Sequence, residues 1–320
     1  MEEAQSIFRI LSIDGGGIRG IIAARILQSL EEIANKPIHQ LFDLIVGTST
    51  GGIIALALTC PNQAQNAKFS AKQLVDIYRL QAGDIFKKSF LRKIITGGGL
   101  WGAKYDRTSF DSFLNQIFED SLFSQALCPL VIPTYSLLKG QPNLFSSRET
   151  LQNNIALFMK DLAGATSSAP TYFSPKAFTD NQGNHYLEAD GGIFANNPEA
   201  VAAAEAFELC PNLSKNNIHI ISIGTGNVKL GKGGLALKNA GVIGWVMQAN
   251  LIDIMIDSNV NWANDEVSIY YPSAHRLQIP IPSDLGQMDN ISEHNIKGLL
   301  NAAEKFIGNN SEVLKHICKR

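Results

Sequence analysis

The sequence has few cysteines, no long apolar run and no excess of basic residues. Its four cysteines are scattered and form no CxxC pair, which excludes a disulfide framework or zinc site of the usual spacing and favours a reducing compartment. No run of about 18 apolar residues is present, so the sequence predicts no transmembrane span. The first ten residues, MEEAQSIFRI, are acidic and lack the basic and apolar regions of a Sec signal peptide. We expect a cytoplasmic or peripheral membrane protein, and export without such a signal stays open.

The charges are nearly balanced, with 27 Lys and Arg against 29 Asp and Glu and a net charge of −2. This balance gives no general attraction to nucleic acid, so no nucleic-acid partner is expected. A hydrophobic fraction of 45% is that of a folded protein. Because the 320 residues contain no repeat or linker, we predict one domain over 1–320, with core motifs in 8–200 and a helical C-terminal part in 240–320.

The pattern of apolar residues predicts an α/β fold. Residues 8–13 form a short apolar run typical of a buried strand, and isoleucines and leucines then recur every three or four residues over 18–33, as in an amphipathic helix. A second strand at 42–46 leads into an apolar helix, and further strands are predicted at 130–137 and 217–224. This alternation favours a mostly parallel sheet covered by helices.

Two glycine turns follow the first two predicted strands. The first, at 14–20, reads DGGGIRG and fits G-x-G-x-x-G at Gly15, Gly17 and Gly20, the fingerprint of a dinucleotide site. The second, Gly47-Thr48-Ser49-Thr50-Gly51, fits G-x-S-x-G, in which a sharp turn between strand and helix exposes a nucleophilic serine. The dinucleotide interpretation and the nucleophile interpretation must therefore be compared.

The position of the two turns favours acyl transfer over nucleotide binding. In a dinucleotide fold the second strand ends in an acid that binds the ribose, whereas here Asp43 lies at the start of that strand and the serine turn follows its end. Neighbouring parallel strands bring both turns to one edge of the sheet. The glycine turn would then offer backbone N–H groups beside the Ser49 hydroxyl, as in an oxyanion hole.

A third motif, EADGGIFANNP at 188–198, completes the set. Its end, Asn196-Asn197-Pro198-Glu199, is typical of a helix start, with a capping amide, a proline and then an acid. Together, DGGGIRG, GTSTG and DGG resemble the motifs of the patatin-like family of lipid acyl hydrolases. The similarity continues, in the family's order, through KYDRTSF (104–110), VIPTYSLLKGQPNLF (131–145), ATSSAPTYFSP (165–175), SIGTG (222–226) and MDN (288–290).

The resemblance implies a three-layer α/β/α sandwich and a serine–aspartate dyad that cleaves acyl esters of phospholipids or related glycerolipids without cofactor or metal. Matched by motif, Ser49 is the nucleophile and Asp190 the general base. The resemblance also implies that the oxyanion N–H groups come from Gly15, Gly16 and Gly17, and that Arg19 supports their turn. The other turns are shaped by Gly47, Gly51, Gly191 and Gly192. One departure is visible, because Gly164 stands where many relatives have an arginine.

Three further interpretations remain open. Four histidines follow Asp190 (His219, His275, His294 and His316), so a Ser–Asp–His triad is possible. A lipid-binding or storage protein of the same fold would keep the motifs without catalysis. Residues 84–105 combine lysines and arginines with aromatic side chains, which is typical either of a solvated helix or of a peripheral contact with a lipid surface.

Overall fold

The computed structural model describes residues 7–85, 102–228 and 251–319. Residues 86–101, most of the basic and aromatic segment predicted to contact lipid, lie outside this part of the chain, so that interpretation stays a prediction. Lys104 and Tyr105, at its end, are among the described residues. Tyr105 is buried in the core, and the Lys104 ammonium contacts the Asp289 carboxylate.

The described residues form ten strands and eleven α-helices. The strands are β1 (Phe8–Ile13), β2 (Leu44–Gly47), β3 (Leu130–Ser136), β4 (Gln141–Ser146), β5 (Lys176–Thr179), β6 (His185–Asp190), β7 (Ile218–Ile223), β8 (Asn227–Val228), β9 (Ala274–Leu277) and β10 (Pro280–Ile281). The helices are α1 (Gly20–Ala34), α2 (Thr50–Thr59), α3 (Ala71–Ile85), α4 (Arg107–Phe118), α5 (Ser147–Gln152), α6 (Met159–Thr166), α7 (Gly192–Ala195), α8 (Glu199–Leu209), α9 (Leu251–Tyr270), α10 (Glu293–Asn309) and α11 (Ser311–Cys318). None of these helices is long and apolar enough to cross a membrane.

A central sheet carries the fold, and most of its pairings are parallel. Strands β9, β7, β1, β2 and β3 run side by side in the same direction, which confirms the predicted mostly parallel sheet. Strands β4, β5 and β6 add antiparallel pairings at one side. The sequence predicts a helical C-terminal part over 240–320, but this part also supplies strand β9. That short strand pairs with β7 and joins this part of the chain to the sheet.

Helices cover both faces of the sheet, so the predicted three-layer sandwich is confirmed. Along β1, Ile10 belongs to one buried apolar cluster, whereas Leu11 and Ile13 belong to the other. Helices α8 and α9 contribute to the smaller cluster, and α1 to α4 with α10 and α11 contribute to the larger. A strand buried on both faces needs apolar side chains in both directions, which explains the continuous apolar run of β1.

Strands β2 and β6 share one edge of β3. Strand β4 pairs with β3 from Val131 through Ser136, and it therefore occupies one edge along that whole length. Strand β2 pairs up to Val131, and β6 pairs antiparallel from Thr134 onward, so both lie on the opposite edge. The two strands run toward each other and end on either side of Pro133, which leaves a short gap between them. Both predicted catalytic residues lie at this gap.

Candidate active site

Ser49 lies at the sharp turn between β2 and α2. Its φ of 55° and ψ of −123° are rare for a residue with a side chain and mark a strained turn. The turn is so tight that a methyl group on Gly47 would collide with the Gly51 carbonyl. The Ser49 N–H donates to Thr166 Oγ1 at 3.0 Å, and this hydroxyl donates to the Pro133 carbonyl at 2.7 Å. Thr166 therefore anchors the nucleophile turn in the gap beside β3.

Asp190 is the last residue of β6 and faces Ser49 across the gap. The Ser49 hydroxyl donates to Asp190 Oδ2 at 2.7 Å, and the Gly192 N–H donates to Asp190 Oδ1 at 2.7 Å. The Asp190 N–H donates to the Ser168 carbonyl at 3.0 Å. Gly191 follows in a turn packed against the Pro133 carbonyl, where a side chain would collide. The structure thus brings together two residues that are 141 positions apart in the chain.

Burial changes the acid–base behaviour of Asp190. The residue is 4% exposed, and desolvation raises its pKa to about 7, although the bonds from Gly192 and Ser49 partly oppose this shift. No cation among the described residues contributes to the shift. A carboxylate with a pKa near neutrality accepts a proton from a hydroxyl more readily than an ordinary aspartate does. Burial therefore raises the proton affinity of the Asp190 carboxylate into the neutral pH range.

The first glycine turn lies against the same site. Gly16 and Gly17 line the cavity in front of Ser49. Gly17 has a φ of 58° and packs against the Met288 carbonyl, which accepts the Ile18 N–H at 2.9 Å. The Gly15 N–H, however, donates to the Asn196 carbonyl at 3.0 Å. The structure therefore differs from the expectation of three available glycine donors, because this bond already uses one of them.

Two arginine side chains support the glycine turn at 14–20. Arg19 is buried, and its Nη1 donates to the Gly286 carbonyl at 3.4 Å, which agrees with a supporting role. Arg276 on β9 donates to Asp14 Oδ1 at 2.7 Å and to Ser222 Oγ at 2.6 Å, and it also lies 3.6 Å from Glu199. Sequence reasoning missed Arg276, because its short strand AHRL has no apolar pattern and only the parallel pairing with β7 places it there.

An apolar cavity of about 360 Å³ opens in front of Ser49 and Asp190, and its volume is in the range of small-molecule sites. Ser49, Asp190, Gly192 and Asn196 line its polar end. The remaining wall is largely aliphatic and aromatic and is contributed mainly by α2, α3 and α4, with Ile53, Ala57, Leu74, Ile77, Phe113 and Ile117 among its residues. The lining is thus apolar along most of its length and polar where it meets Ser49.

The glycine at position 164 is explained by Arg107. A methyl group on Gly164 would lie 2.8 Å from Arg107 Nη2, so the guanidinium occupies the space of a side chain at 164. Arg107 donates to the Gly164 carbonyl at 2.9 Å, to Ser168 Oγ at 2.7 Å and to the Ser174 carbonyl. It therefore fixes the C-terminal end of α6, where Thr166 and Ser168 hold the backbones of Ser49 and Asp190.

None of the six histidines, all of which are described, lines the cavity. Within 7–85, 102–228 and 251–319, no group of three or more His, Cys, Asp or Glu side chains could hold a metal ion. The nearest base to the Ser49 hydroxyl is thus the Asp190 carboxylate.

Comparison with known sequences agrees with this site. The patatin-like phospholipase family matches residues 11–203, which is more than half of the chain. The chain belongs to the patatin-like phospholipase family. It is similar to Patatin-like protein 2 of Arabidopsis thaliana, with 34% identity over 85% of this chain and 73% of that protein. It is also similar to Patatin-like protein 1 of the same plant, with 31% identity over 95% and 82%.

A bacterial protein, the cGAMP-activated phospholipase of Vibrio cholerae, is 32% identical over 70% of this chain and 66% of its own length. Membership of the patatin-like phospholipase family makes the chain a lipid-ester hydrolase. The resemblance stated from the three glycine motifs is confirmed. The family also decides against the dinucleotide interpretation, since the Gly15–Gly20 turn lies within the matched residues.

Proposed function

We propose that Ser49 and Asp190 form a catalytic dyad that hydrolyses acyl esters of phospholipids or related glycerolipids through an acyl-enzyme. The observation that carries this proposal is the 2.7 Å hydrogen bond from Ser49 Oγ to Asp190 Oδ2 at the polar end of an apolar cavity. The cavity supports an acyl chain as the group that is bound, and the family supports a lipid as its source.

Acylation begins when the ester carbonyl approaches Ser49. The hydroxyl oxygen attacks the carbonyl carbon while its proton passes to Asp190 Oδ2, and the carbonyl electron pair moves to the oxygen. The N–H groups of Gly16 and Gly17 stabilise the negative charge that develops there. The tetrahedral intermediate then collapses, the bond to the leaving alcohol breaks, and that alcohol takes the proton from Asp190.

Deacylation repeats the sequence with water. Asp190, ionised again after the alcohol leaves, accepts a proton from a water molecule as it attacks the acyl carbon of the Ser49 ester. Collapse of the second tetrahedral intermediate returns the proton to Ser49 Oγ and releases the fatty acid. A single carboxyl group is sufficient as the base for both steps, because its pKa of about 7 lets it bind and lose a proton near neutral pH.

The test combines two near-isosteric variants with a chemical probe. Ser49→Ala and Asp190→Asn should each lower the release of fatty acid from phospholipid vesicles by at least about 1000-fold, since each removes one half of the proton transfer. A fluorophosphonate should label the wild type at Ser49 and fail to label Ser49→Ala. His275→Ala, a base outside the cavity, is the matched control and should retain activity. Labelling at another serine, or full activity in either dyad variant, contradicts the proposal.

We further propose that the basic and aromatic segment, residues 84–105, contacts the lipid surface. It contains Lys87, Lys88, Arg92 and Lys93, and each cation near an anionic surface contributes on the order of 1 kcal/mol. Changing all four to glutamine should weaken binding to anionic vesicles severely and leave hydrolysis of a small soluble ester unchanged. Equal losses on both substrates, or retention of both, contradict the surface contact.

A further inference from the structure

The Asn196 side-chain amide lies in the candidate active site and has no hydrogen-bond partner among the described residues. The residue follows α7, is 4% exposed and lines the cavity. No described residue donates to or accepts from its Oδ1 or Nδ2, although its neighbour Asn197, 2% exposed, uses its side chain to donate to the Val260 carbonyl and accept the Glu199 N–H. A buried amide normally has partners, and one without them in a cavity points to a ligand.

The amide lies between the dyad and the glycine turn. A methyl group built on Gly15 would collide with Asn196 Oδ1 and lie 3.1 Å from Ser49 Cβ. A methyl group built on Gly192 would lie 3.1 Å from both Asn196 Oδ1 and Asp190 Oδ1. A half-turn about χ2 exchanges Oδ1 and Nδ2, so the same space can receive an N–H donor.

The backbone of Asn196 is fixed independently of this side chain. Its carbonyl accepts the Gly15 N–H at 3.0 Å, and its N–H donates to Asn259 Oδ1 at 3.0 Å. Asn259 is itself held on α9 by donation to the Phe194 carbonyl. The amide is therefore positioned before substrate arrives, which is the condition for effective stabilisation of a developing charge.

We propose that Asn196 is a further catalytic residue, whose side-chain Nδ2 donates a hydrogen bond to the oxyanion of the tetrahedral intermediate beside the N–H groups of Gly16 and Gly17. Asn196 accepts the Gly15 N–H through its backbone carbonyl, and its side chain supplies a donor in place of that N–H. Side-chain amides serve in this role in other acyl-transfer sites. The proposal rests on the proposed Ser49–Asp190 function and adds a third oxyanion donor to it.

The test compares Asn196→Ala and Asn196→Asp with Asn197→Ala. Loss of one oxyanion donor costs about 100- to 1000-fold in kcat, so Asn196→Ala should show this loss on a soluble ester with a KM within about threefold of the wild type. Asn196→Asp, nearly identical in shape but negatively charged, should be at least as slow. Asn197→Ala loses the hydrogen bonds at the start of α8, so it should unfold at lower denaturant while keeping the kcat of the folded enzyme.

A second readout is the rate of phosphonylation of Ser49, since the phosphonyl oxygen occupies the place of the oxyanion. This rate should fall together with kcat in Asn196→Ala, whose unfolding midpoint should stay that of the wild type. Wild-type kcat in both Asn196 variants, a change in KM alone, or a lower kcat with unchanged labelling overturns the proposal. An inactive wild type, or an active Ser49→Ala, instead overturns the proposed function itself.

Discussion

Replacing Asp190 with asparagine should make the protein inactive and, above neutral pH, more stable. The carboxyl group has a pKa of about 7 in the folded chain against its ordinary value of 3.8. The difference, 7 − 3.8, is about 3 pH units, and at 1.36 kcal/mol per unit the ionised carboxylate costs the folded state about 4 kcal/mol. Asparagine removes this charge and keeps a carbonyl oxygen that can accept the Gly192 N–H.

The raised pKa of Asp190 decides whether the free energy of unfolding rises or falls with pH. Between pH 4 and pH 7 the folded state binds the Asp190 proton more tightly than the unfolded state, so this group's contribution to stability is complete below its unfolded pKa and lost as pH rises through about 7. The Asp190→Asn variant lacks this loss. The difference in free energy of unfolding between variant and wild type should therefore grow by about 3 kcal/mol from pH 5 to pH 8.

Urea denaturation of both proteins at the two pH values measures this difference, and other titrating groups cancel because both chains share them. Ser49→Ala is the control, since it is equally inactive but retains the carboxyl group. Its hydroxyl is one of the groups that lower the Asp190 pKa, so its pH dependence should be at least as steep as that of the wild type. Parallel pH dependences for Asp190→Asn and the wild type would refute the reasoning.

Three further predictions concern the same site. The kcat/KM for a soluble ester should rise about tenfold per pH unit below 7 and level off above it, because Asp190 must be ionised to act as base; a flat profile from pH 5 to 9 would contradict this. Ala57 lies eight residues after Ser49, about 12 Å along α2, and Ala57→Leu should lower kcat/KM for long-chain esters about tenfold relative to short-chain esters, which serve as the internal control. Arg107→Met should cost about 2–3 kcal/mol of stability. Gly164→Ala should destabilise the wild type but not the Arg107→Met variant, since the added methyl group meets the guanidinium; additive effects in this double-mutant cycle would disprove the contact.

Local patterns predict the first half of the site well. Strand β1 is a continuous buried run, and the Ser49 turn and the start of α2 carry glycines at positions where a side chain would collide. Such constraints are visible in the sequence. Asp190 is different, because nothing local in HYLEAD predicts that this strand ends opposite the serine. Only the resemblance to a family assigned its role.

The missed features depend on tertiary placement. The sequence indicates Asn196 only as part of a helix start, because it belongs to one motif with Asn197, whose side chain accepts the Glu199 N–H at that start. Its cavity-facing amide becomes visible only when the turns at Gly15 and Gly192 are placed around it. The loss of Gly15 as an available donor has the same cause, because its acceptor lies 181 residues away in the chain, at Asn196.

Because Ser49 and Asp190 meet at the gap beside Pro133, the proposed activity depends on correct pairing of both β2 and β6 with β3. Strands β2 and β6 arrive from opposite directions, so a slip of β6 by one residue along β3 would turn the Asp190 side chain to the other face of the sheet. During synthesis, a chain that has made Ser49 must still add 141 residues before Asp190 exists. In a nascent or misregistered chain the proposed nucleophile therefore lacks its proposed base, and the proposed activity requires that β6 has paired in register with β3.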